Sequence, residues 1–311
     1  MEESREISLG LGNVSLSSEL GPYYIDMRPA IVHYTSNIYG GGFDENGVPL
    51  IDYNGQLLHF PINIAQYGLI IHASWLDTKD EKSLVILNNC IDVLKDLMIE
   101  NNEMCIWWHH IYNQKYKIKP PWASAMAQGE IISLFLRVFQ ITHDKSLLAI
   151  AKKAYQFLKV PFKDKGVRRI DDKGYLWFEE YPSEPPSYVL NGFIYTLLGL
   201  FDLYRVTDDK EVKADIDACI HTLRDNLHRY DASYWSYYDL LKKELVRYYY
   251  QKNVHVPQMK VLHKLTGETV FMDYAVKWEK QLNFTNFVFV RIMYRVRPRI
   301  QKLKNLWVMK K

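Results

Sequence analysis

The sequence predicts a mainly α protein: an incomplete α/α toroid of about four helical hairpins, preceded by a short N-terminal β-hairpin arm. Three observations predict it. A helical hairpin pattern recurs four times at a spacing of roughly 60 residues, longer than the roughly 34 to 47 of the common helical solenoids. In each repeat a strongly apolar helix precedes an amphipathic one, as expected when one set lines a ring and the other wraps it. The first 59 residues carry glycine-rich and Asn-Gly turn signals in place of helical spacing.

In chain order, residues 1–59 form the arm, with turn signals at Gly12-Asn13, Gly40-Gly41-Gly42 and Asn46-Gly47 and an alternating VPLIDY piece. Residues 60–283 form the toroid. Its inner helices are read as FPINIAQYGLIIHASWL from Phe60, PWASAMAQGEIISLFLRVFQI from Pro121, PPSYVLNGFIYTLLGLFDLYRV from Pro185 and HVPQMKVLHKL from His255; the first three carry Gly68, Gly129 and Gly192. Outer helices are read from Thr78, Thr142, Thr207 and Thr266. Each has apolar residues three and four apart and an acid (Asp80, Asp144, Asp209, Glu268) at the N-cap or first turn. KGVRRIDDKGYLWFEE, residues 165–180, is read as a hairpin turning at Asp172-Lys173-Gly174. Residues 284–311 form a basic amphipathic tail.

Composition excludes several classes. A chain of 311 residues, 48% hydrophobic and 24% charged, is neither disordered, collagen-like nor a disulfide-stapled miniprotein. Cys90, Cys105 and Cys219 lie far apart, which predicts buried free thiols in a reducing compartment. A net charge of +3 is too mild to point to nucleic acid. MEESREISLG is polar and acidic, unlike a signal peptide, and no run reaches the roughly 18 apolar residues of a membrane span. A cytoplasmic protein is expected. Adjacent His109 and His110 point different ways and make a poor metal pair, and His72 sits on an apolar helix as a core histidine. No metal is expected, and with no GxGxxG or GxxxxGK[ST] no cofactor either.

The polar and aromatic residues without an evident packing role cluster in the links that precede inner helices two, three and four. They are Trp107-Trp108-His109-His110 through Trp122, Phe178-Glu179-Glu180-Tyr181-Pro182, Tyr234 to Asp239, and Tyr248-Tyr249-Tyr250 through His255. In a toroid these links open on one end, where helix N-termini favour an anionic ligand. The 23 tyrosines, against 13 phenylalanines, supply flat faces with polar tips suited to a hydroxyl-rich ring.

These links carry a resemblance. IAQYGL (Ile64–Leu69), SAMAQG (Ser124–Gly129), EEYP (Glu179–Pro182), VLNGFIYTLLGLFDL (Val189–Leu203), YDL (Tyr238–Leu240) and HVPQM (His255–Met259) follow one another as in the C-terminal domain of the glucuronyl C5-epimerases, which the chain resembles in a short prokaryote-like form over roughly residues 20–280. SAMAQG and VLNG together are specific; EEYP alone is weak. The resemblance implies inversion of carbon 5 of D-glucuronate to L-iduronate in a heparosan-like acidic polysaccharide, without a cofactor. Removing a proton beside a carboxylate and returning one to the opposite face takes an acid/base group on each side of the ring and a stabilised enolate-like intermediate.

By the same resemblance Glu180 is the catalytic carboxylate, Tyr181 and Tyr238 are essential tyrosines, and Tyr250 is the partner acid/base. Spacing to His255 leaves Tyr249 competing for that slot. Where the family usually has Arg-His after YDL, this chain has Leu241 and Lys242, so Lys242 would hold the uronate carboxylate as a point charge. Trp108, His110, Trp122, Gln128, Glu179, Asn191, Tyr237, Lys242, Tyr249 and His255 are expected to contact substrate. A packing alternative pairs Glu180 with Arg168 or Arg169 as a structural acid.

Two other functions compete: a polysaccharide lyase, which shares the first proton abstraction, and a non-catalytic carbohydrate-binding helical repeat. The arm, too small to be stable alone, is expected to pack on a toroid end, its own or a partner's; the family precedent implies a homodimer. From Arg291 onward there are eight basic and no acidic residues. The tail is expected either to pack on the toroid with its arginines in solvent, or to lie on an anionic membrane surface, which would place the protein peripherally at the inner membrane face.

Overall fold

The computed structural model of the chain describes residues 7–36, 40–294 and 296. Four inner helices, α1 (Pro61–Thr78), α3 (Ala125–Thr142), α5 (Leu190–Thr207) and α7 (Val256–Thr266), alternate with four outer ones, α2 (Glu81–Asp96), α4 (Lys145–Leu158), α6 (Lys210–Asn226) and α8 (Thr269–Lys280). Each hairpin turns on the same three residues. The inner helix ends at a threonine whose hydroxyl donates to the carbonyl four residues back, at 2.7 to 3.0 Å (Thr78 to Ser74, Thr142 to Val138, Thr207 to Leu203, Thr266 to Leu262). The next residue (Lys79, His143, Asp208, Gly267) takes a left-handed φ between 52° and 74°, which reverses the chain. The third caps the outer helix: Asp80, Asp144 and Asp209 accept from the N–H groups of Ser83, Ser146 and Glu211 at 2.8, 2.9 and 2.8 Å. Glu268 stands at that position without a side-chain cap bond. The threonines therefore close the inner helices; they do not open the outer ones as the spacing suggested.

Two of the inner helices, α3 and α5, are packed backbone to backbone. A Cβ on Gly129 would lie 2.6 Å from the Thr196 Cα, and one on Gly199 would lie 2.3 Å from the Gly129 carbonyl oxygen. So α3 and α5 touch where neither carries a side chain. Farther along the same pair, Arg137 and Arg205 share the carboxylate of Asp202, with Arg137 at 2.5 Å and Arg205 at 3.2 Å, all three side chains at most 1% exposed.

Four hairpins leave a gap between α7 and α1, and the N-terminal arm fills it. Strands β1 (Gly10–Leu11) and β2 (Ile25–Asp26) pair antiparallel and lie against α7, while the 3-10 turn Arg28–Ile31 lies against α1. The Leu9 N–H donates to Asn253 Oδ1 at 2.8 Å. The arm thus packs on its own toroid. β3 (Gly40–Phe43), β4 (Pro49–Tyr53) and β5 (Gln56–His59) form an antiparallel meander with the expected turn at Asn46-Gly47. Gly40-Gly41-Gly42 lies within bulged β3 and is not a turn. Nor is Gly12-Asn13 a hairpin turn: the Tyr23 carbonyl passes where a Gly12 Cβ would stand, 1.7 Å away, and β1 meets its partner only after residues 12–24.

The links hold small sheets: β6 (Met98–Glu100), β7 (Cys105–His109) and β8 (Trp122–Ala123) before α3, and β9 (Arg168–Ile170) with β10 (Leu176–Phe178) before α5. The second is the expected hairpin, closed by the Gly174 N–H donating to Asp171 O at 2.9 Å. Residues 284–294 are helical, with Phe287 and Val290 buried. Most of the basic run, from 295 on, lies outside the described residues. Among the described residues no helix is long and apolar enough to cross a membrane. Cys90, Cys105 and Cys219 are buried and free.

The glycine contact is testable. Gly199→Ala forces α3 and α5 apart and should cost about 1–3 kcal/mol or more, read as a lower thermal unfolding midpoint. Gly10→Ala, where a Cβ meets nothing within 4 Å, should leave the midpoint near that of the parent.

Candidate active site

The links converge on one end of the ring around the carboxyl of Glu180, which is 3% exposed. Glu180 follows β10, whose last bonds fix the segment: the Glu179 N–H donates to Val167 O at 2.8 Å, and the Ala125 N–H, at the start of α3, donates to Glu179 O at 3.0 Å. The carboxyl then rests on the first turn of α5. A Cβ on Gly192 would lie 2.1 Å from Glu180 Oε2 and 2.5 Å from the Glu180 Cβ. The glycine of VLNG is the floor of the carboxylate's seat. Tyr238 is fixed to the same turn, its carbonyl accepting the Leu190 N–H at 3.1 Å. Its hydroxyl donates to Glu180 Oε1 at 3.2 Å, while Oε2 is buried and makes no bond to the protein.

Tyrosines ring this carboxyl. Tyr181 stacks on Tyr116 (5.0 Å between centroids) and tilts against Trp122 (5.5 Å), and the Tyr250 ring meets Tyr238 edge-on at 5.8 Å. Tyr116 donates to Asp239 at 2.9 Å, and Lys115 stands 4.0 Å above the Tyr238 ring while pairing with Glu244 at 2.7 Å. Burial raises the Glu180 carboxyl to about 7, against the opposing pull of the Tyr181 and Tyr238 hydroxyls and of Lys115. Burial, then the nearby Glu180 charge, pushes the Tyr181 and Tyr238 phenols well above their usual range. The site thus sets a carboxyl raised toward neutrality among protonated phenols, a pairing suited to moving a proton in either direction.

Other predicted residues divide into those at this cluster and those spent on packing. Glu179 points away from Glu180 and accepts from Arg169 (3.2 Å), Ser187 (2.9 Å) and the Tyr188 N–H (3.2 Å), while Arg168 pairs with Asp215. Neither arginine serves Glu180, so the packing alternative falls to its neighbour. Gln128 is fully buried and its amide ties β7 to α3 and α4 through the Trp107 N–H and the carbonyls of Cys105 and Ala154; it is a structural clamp and not a substrate contact. Trp108 turns its ring to Phe157 on α4, and His110 is exposed, because alternation along β7 sends Trp107 and His109 inward instead. Tyr237 packs around Trp235, Leu245 and Val246. Trp122 is buried between His109, stacked at 4.4 Å, and Tyr181. Asn191 is buried beside Gly192 with its Oδ1 unbonded. His255, held near pKa 3 by burial, bonds Ser236 through Nδ1 at 2.9 Å. The Lys242 ammonium bonds the Lys115 carbonyl at the rim. Tyr249 meets His33 of the arm at 5.0 Å, so Tyr250 is the ring set against Tyr238.

Of the first-turn N–H groups of α3 and α5, those of Ala125, Ala127 and Leu190 bond Glu179 O, Ser124 Oγ and Tyr238 O. Sequence reasoning missed Lys115, Tyr116 and Tyr195, and gave the flagged Asp239 no role; Lys115 and Tyr116 lie inside the flagged 107–122 link, yet only the fold brings them to Glu180. A cavity of about 90 Å3 adjoins the cluster, lined by Tyr195, Tyr249, Tyr250 and Met126 and roofed by Met27 and Tyr34 of the arm. A larger one, about 640 Å3, opens elsewhere on the ring between Trp75, Lys79, Gln140 and His143, and no tyrosine lines it. Among the described residues no His, Cys, Asp and Glu group is arranged to hold a metal.

Residues 101–280 match the family model described as D-glucuronyl C5-epimerase C-terminus. A D-glucuronyl C5-epimerase of Caenorhabditis elegans is 34% identical over 186 residues, 54% of this chain and 30% of that protein. An uncharacterized protein of Methanocaldococcus jannaschii is 30% identical over 184 residues, 58% of this chain and 59% of that one. The chain thus matches less than two thirds of the length of either relative. Among solved structures, a cellobiose 2-epimerase from Spirochaeta thermophila superposes with a TM-score of 0.53 at 12% identity, covering 81% of this chain and 66% of that one. The GH76A α-1,6-mannanase from Salegentibacter sp. gives 0.53 at 17%, covering 83% and 70%. Both likenesses are of fold alone.

The raised Glu180 carboxyl has a consequence for stability. Its folded value of about 7 lies above the unfolded one near 4.3, so its contribution is present at low pH and is lost as pH rises through 7. Glu180→Gln keeps shape and removes the ionisation. Its melting temperature relative to the parent should therefore rise between about pH 5 and about pH 8; an equal difference at both would show that the carboxyl is not held neutral.

Proposed function

The chain belongs to the D-glucuronyl C5-epimerase C-terminal family, matched over residues 101–280, and on that premise we propose that it inverts carbon 5 of D-glucuronate residues in a heparosan-like polysaccharide. The observation that carries the reading is Glu180: a buried carboxyl near pKa 7 with one oxygen bonded by Tyr238 and the other free of protein partners. As carboxylate it takes the C5 proton, and the electron pair passes into the uronate carboxyl as an enolate. The Tyr250 hydroxyl returns a proton to the opposite face. Tyr238, bonded to Glu180 and edge-on to Tyr250, resets the pair by carrying the proton back. Tyr181 completes the protonated wall over the enolate.

The uronate carboxyl needs a cation. Lys115, above Tyr238, serves that role better than rim-bound Lys242, and its ammonium exchanges Glu244 for the substrate. Together the two lysines flank the Tyr116 ring at 5.5 and 5.6 Å, a substitute for the arginine that this sequence lacks after YDL.

Incubation with heparosan in deuterated water tests the reading by NMR. Deuterium should enter carbon 5 and iduronate should appear, with an acid limb near pH 7 as Glu180 ionises. Glu180→Gln and Tyr250→Phe should each lose about a hundredfold or more, and Tyr249→Phe should keep most activity. Ultraviolet absorbance from an unsaturated uronate would replace the epimerase by a lyase, and full activity of Glu180→Gln would remove the mechanism. Lys115→Met should raise KM more than Lys242→Met does.

A further inference from the structure

The helix at residues 284–294 is apolar on two faces. Phe287 (6% exposed) and Val290 (3%) face inward, Val290 against Trp235, Leu245 and Val246. On the outside Phe284 is 75% exposed, Val288 41% and Ile292 54%. Those three stand four residues apart, so they stack as one stripe along the helix. Phe289, 44% exposed, borders the stripe with one edge on Tyr234. Single exposed apolar residues are ordinary, but a contiguous stripe along a helix whose opposite face is already packed calls for an occupant.

Charge selects among the occupants. The eight basic residues with no acid begin at Arg291, on this helix, and run to Lys311. A second copy seated on the stripe would cover the apolar side chains but bring no acid from its own matching segment, which carries none from Phe284 onward. A soluble polyanion, the acidic polysaccharide included, would engage the charges and leave the apolar stripe in water. A bilayer with anionic headgroups satisfies both halves: apolar side chains enter the headgroup boundary while the lysines and arginines meet the phosphates. We propose that this helix, with the basic run that follows it, seats the protein on an anionic lipid surface. The proposal does not depend on the chemistry at Glu180.

The test is co-sedimentation of the full chain with vesicles of phosphatidylcholine alone or mixed with phosphatidylglycerol. The parent should pellet with the anionic vesicles only, and less so as salt rises. Phe284→Ser/Val288→Ser/Ile292→Ser should weaken that binding about tenfold or more while leaving retention on immobilised heparosan unchanged, because the basic run is intact. Phe284→Ser alone, at the most exposed position, should give a partial loss and stands in should the triple variant unfold. A parent that stays in the supernatant with anionic vesicles would overturn the proposal, as would a folded triple variant that pellets like the parent. So would a parental dimer, seen by light scattering, that the triple variant abolishes while vesicle binding persists.

Discussion

Ring closure depends on one buried carboxylate. Asp202 on α5 holds Arg137 from α3 and Arg205 from its own helix, out of water. Two guanidiniums carry more donors than one carboxylate can take, and the surplus is met by the arm: Arg137 donates to Gly21 O at 3.1 Å, and Arg205 donates to Ser17 O at 2.6 Å and Glu19 O at 2.8 Å. An undocked arm would leave buried charged donors without acceptors, a cost far above that of a surface ion pair. The arm is therefore bound by the needs of the helices as much as by its own apolar contacts. Where it continues past Ile25, its residues roof the cavity beside Tyr250. The same ion cluster that closes the ring thereby sets the wall of the site.

The first turn of α5 is the second anchor. It takes the Glu180 carboxyl on Gly192 and the Tyr238 carbonyl on Leu190, so acid/base group and hydroxyl partner are positioned by one rigid element. Because Arg168 and Arg169 are engaged by Asp215 and Glu179, neither pairs with Glu180, and burial outweighs the opposing pull of the tyrosine hydroxyls and Lys115. Two adjacent glutamates thus differ in role through what surrounds them: one binds a loop, the other keeps a free oxygen.

The fold was legible because its signals are local. Alternation of apolar and amphipathic helices, and the acid two residues after each threonine, are set within one hairpin. The arm's register was not legible: Gly12 looks like a turn residue, and only the approach of the Tyr23 carbonyl, from across the arm, explains it. In the site, motif membership located Glu180, Tyr181, Tyr238 and Tyr250 together. It could not separate Gln128 or Glu179 from substrate contacts, because a buried amide that clamps three strands and helices sits in the same strings as a ligand. Lys115 and Tyr116 were hidden for the opposite reason. They belong to a link with no pattern, and their meeting with Asp239 of the YDL piece is a product of the ring.

The hydrogen bond from Leu9 to Asn253 joins residues 244 apart in sequence, and it orders the events of biosynthesis. The arm leaves the ribosome before every helix of the ring, yet its acceptors and donors lie on α3, α5 and the turn before α7. Each helical hairpin can form from its own neighbours as it emerges, whereas the arm must wait for the turn before α7 before its seat is whole. During that interval Tyr23, Tyr24 and Ile25, all buried in the finished ring, are bare on the nascent chain. A toroid sealed by a segment that precedes its helices closes only once the turn before α7 has been made, and the roof over Tyr250 waits for the same event.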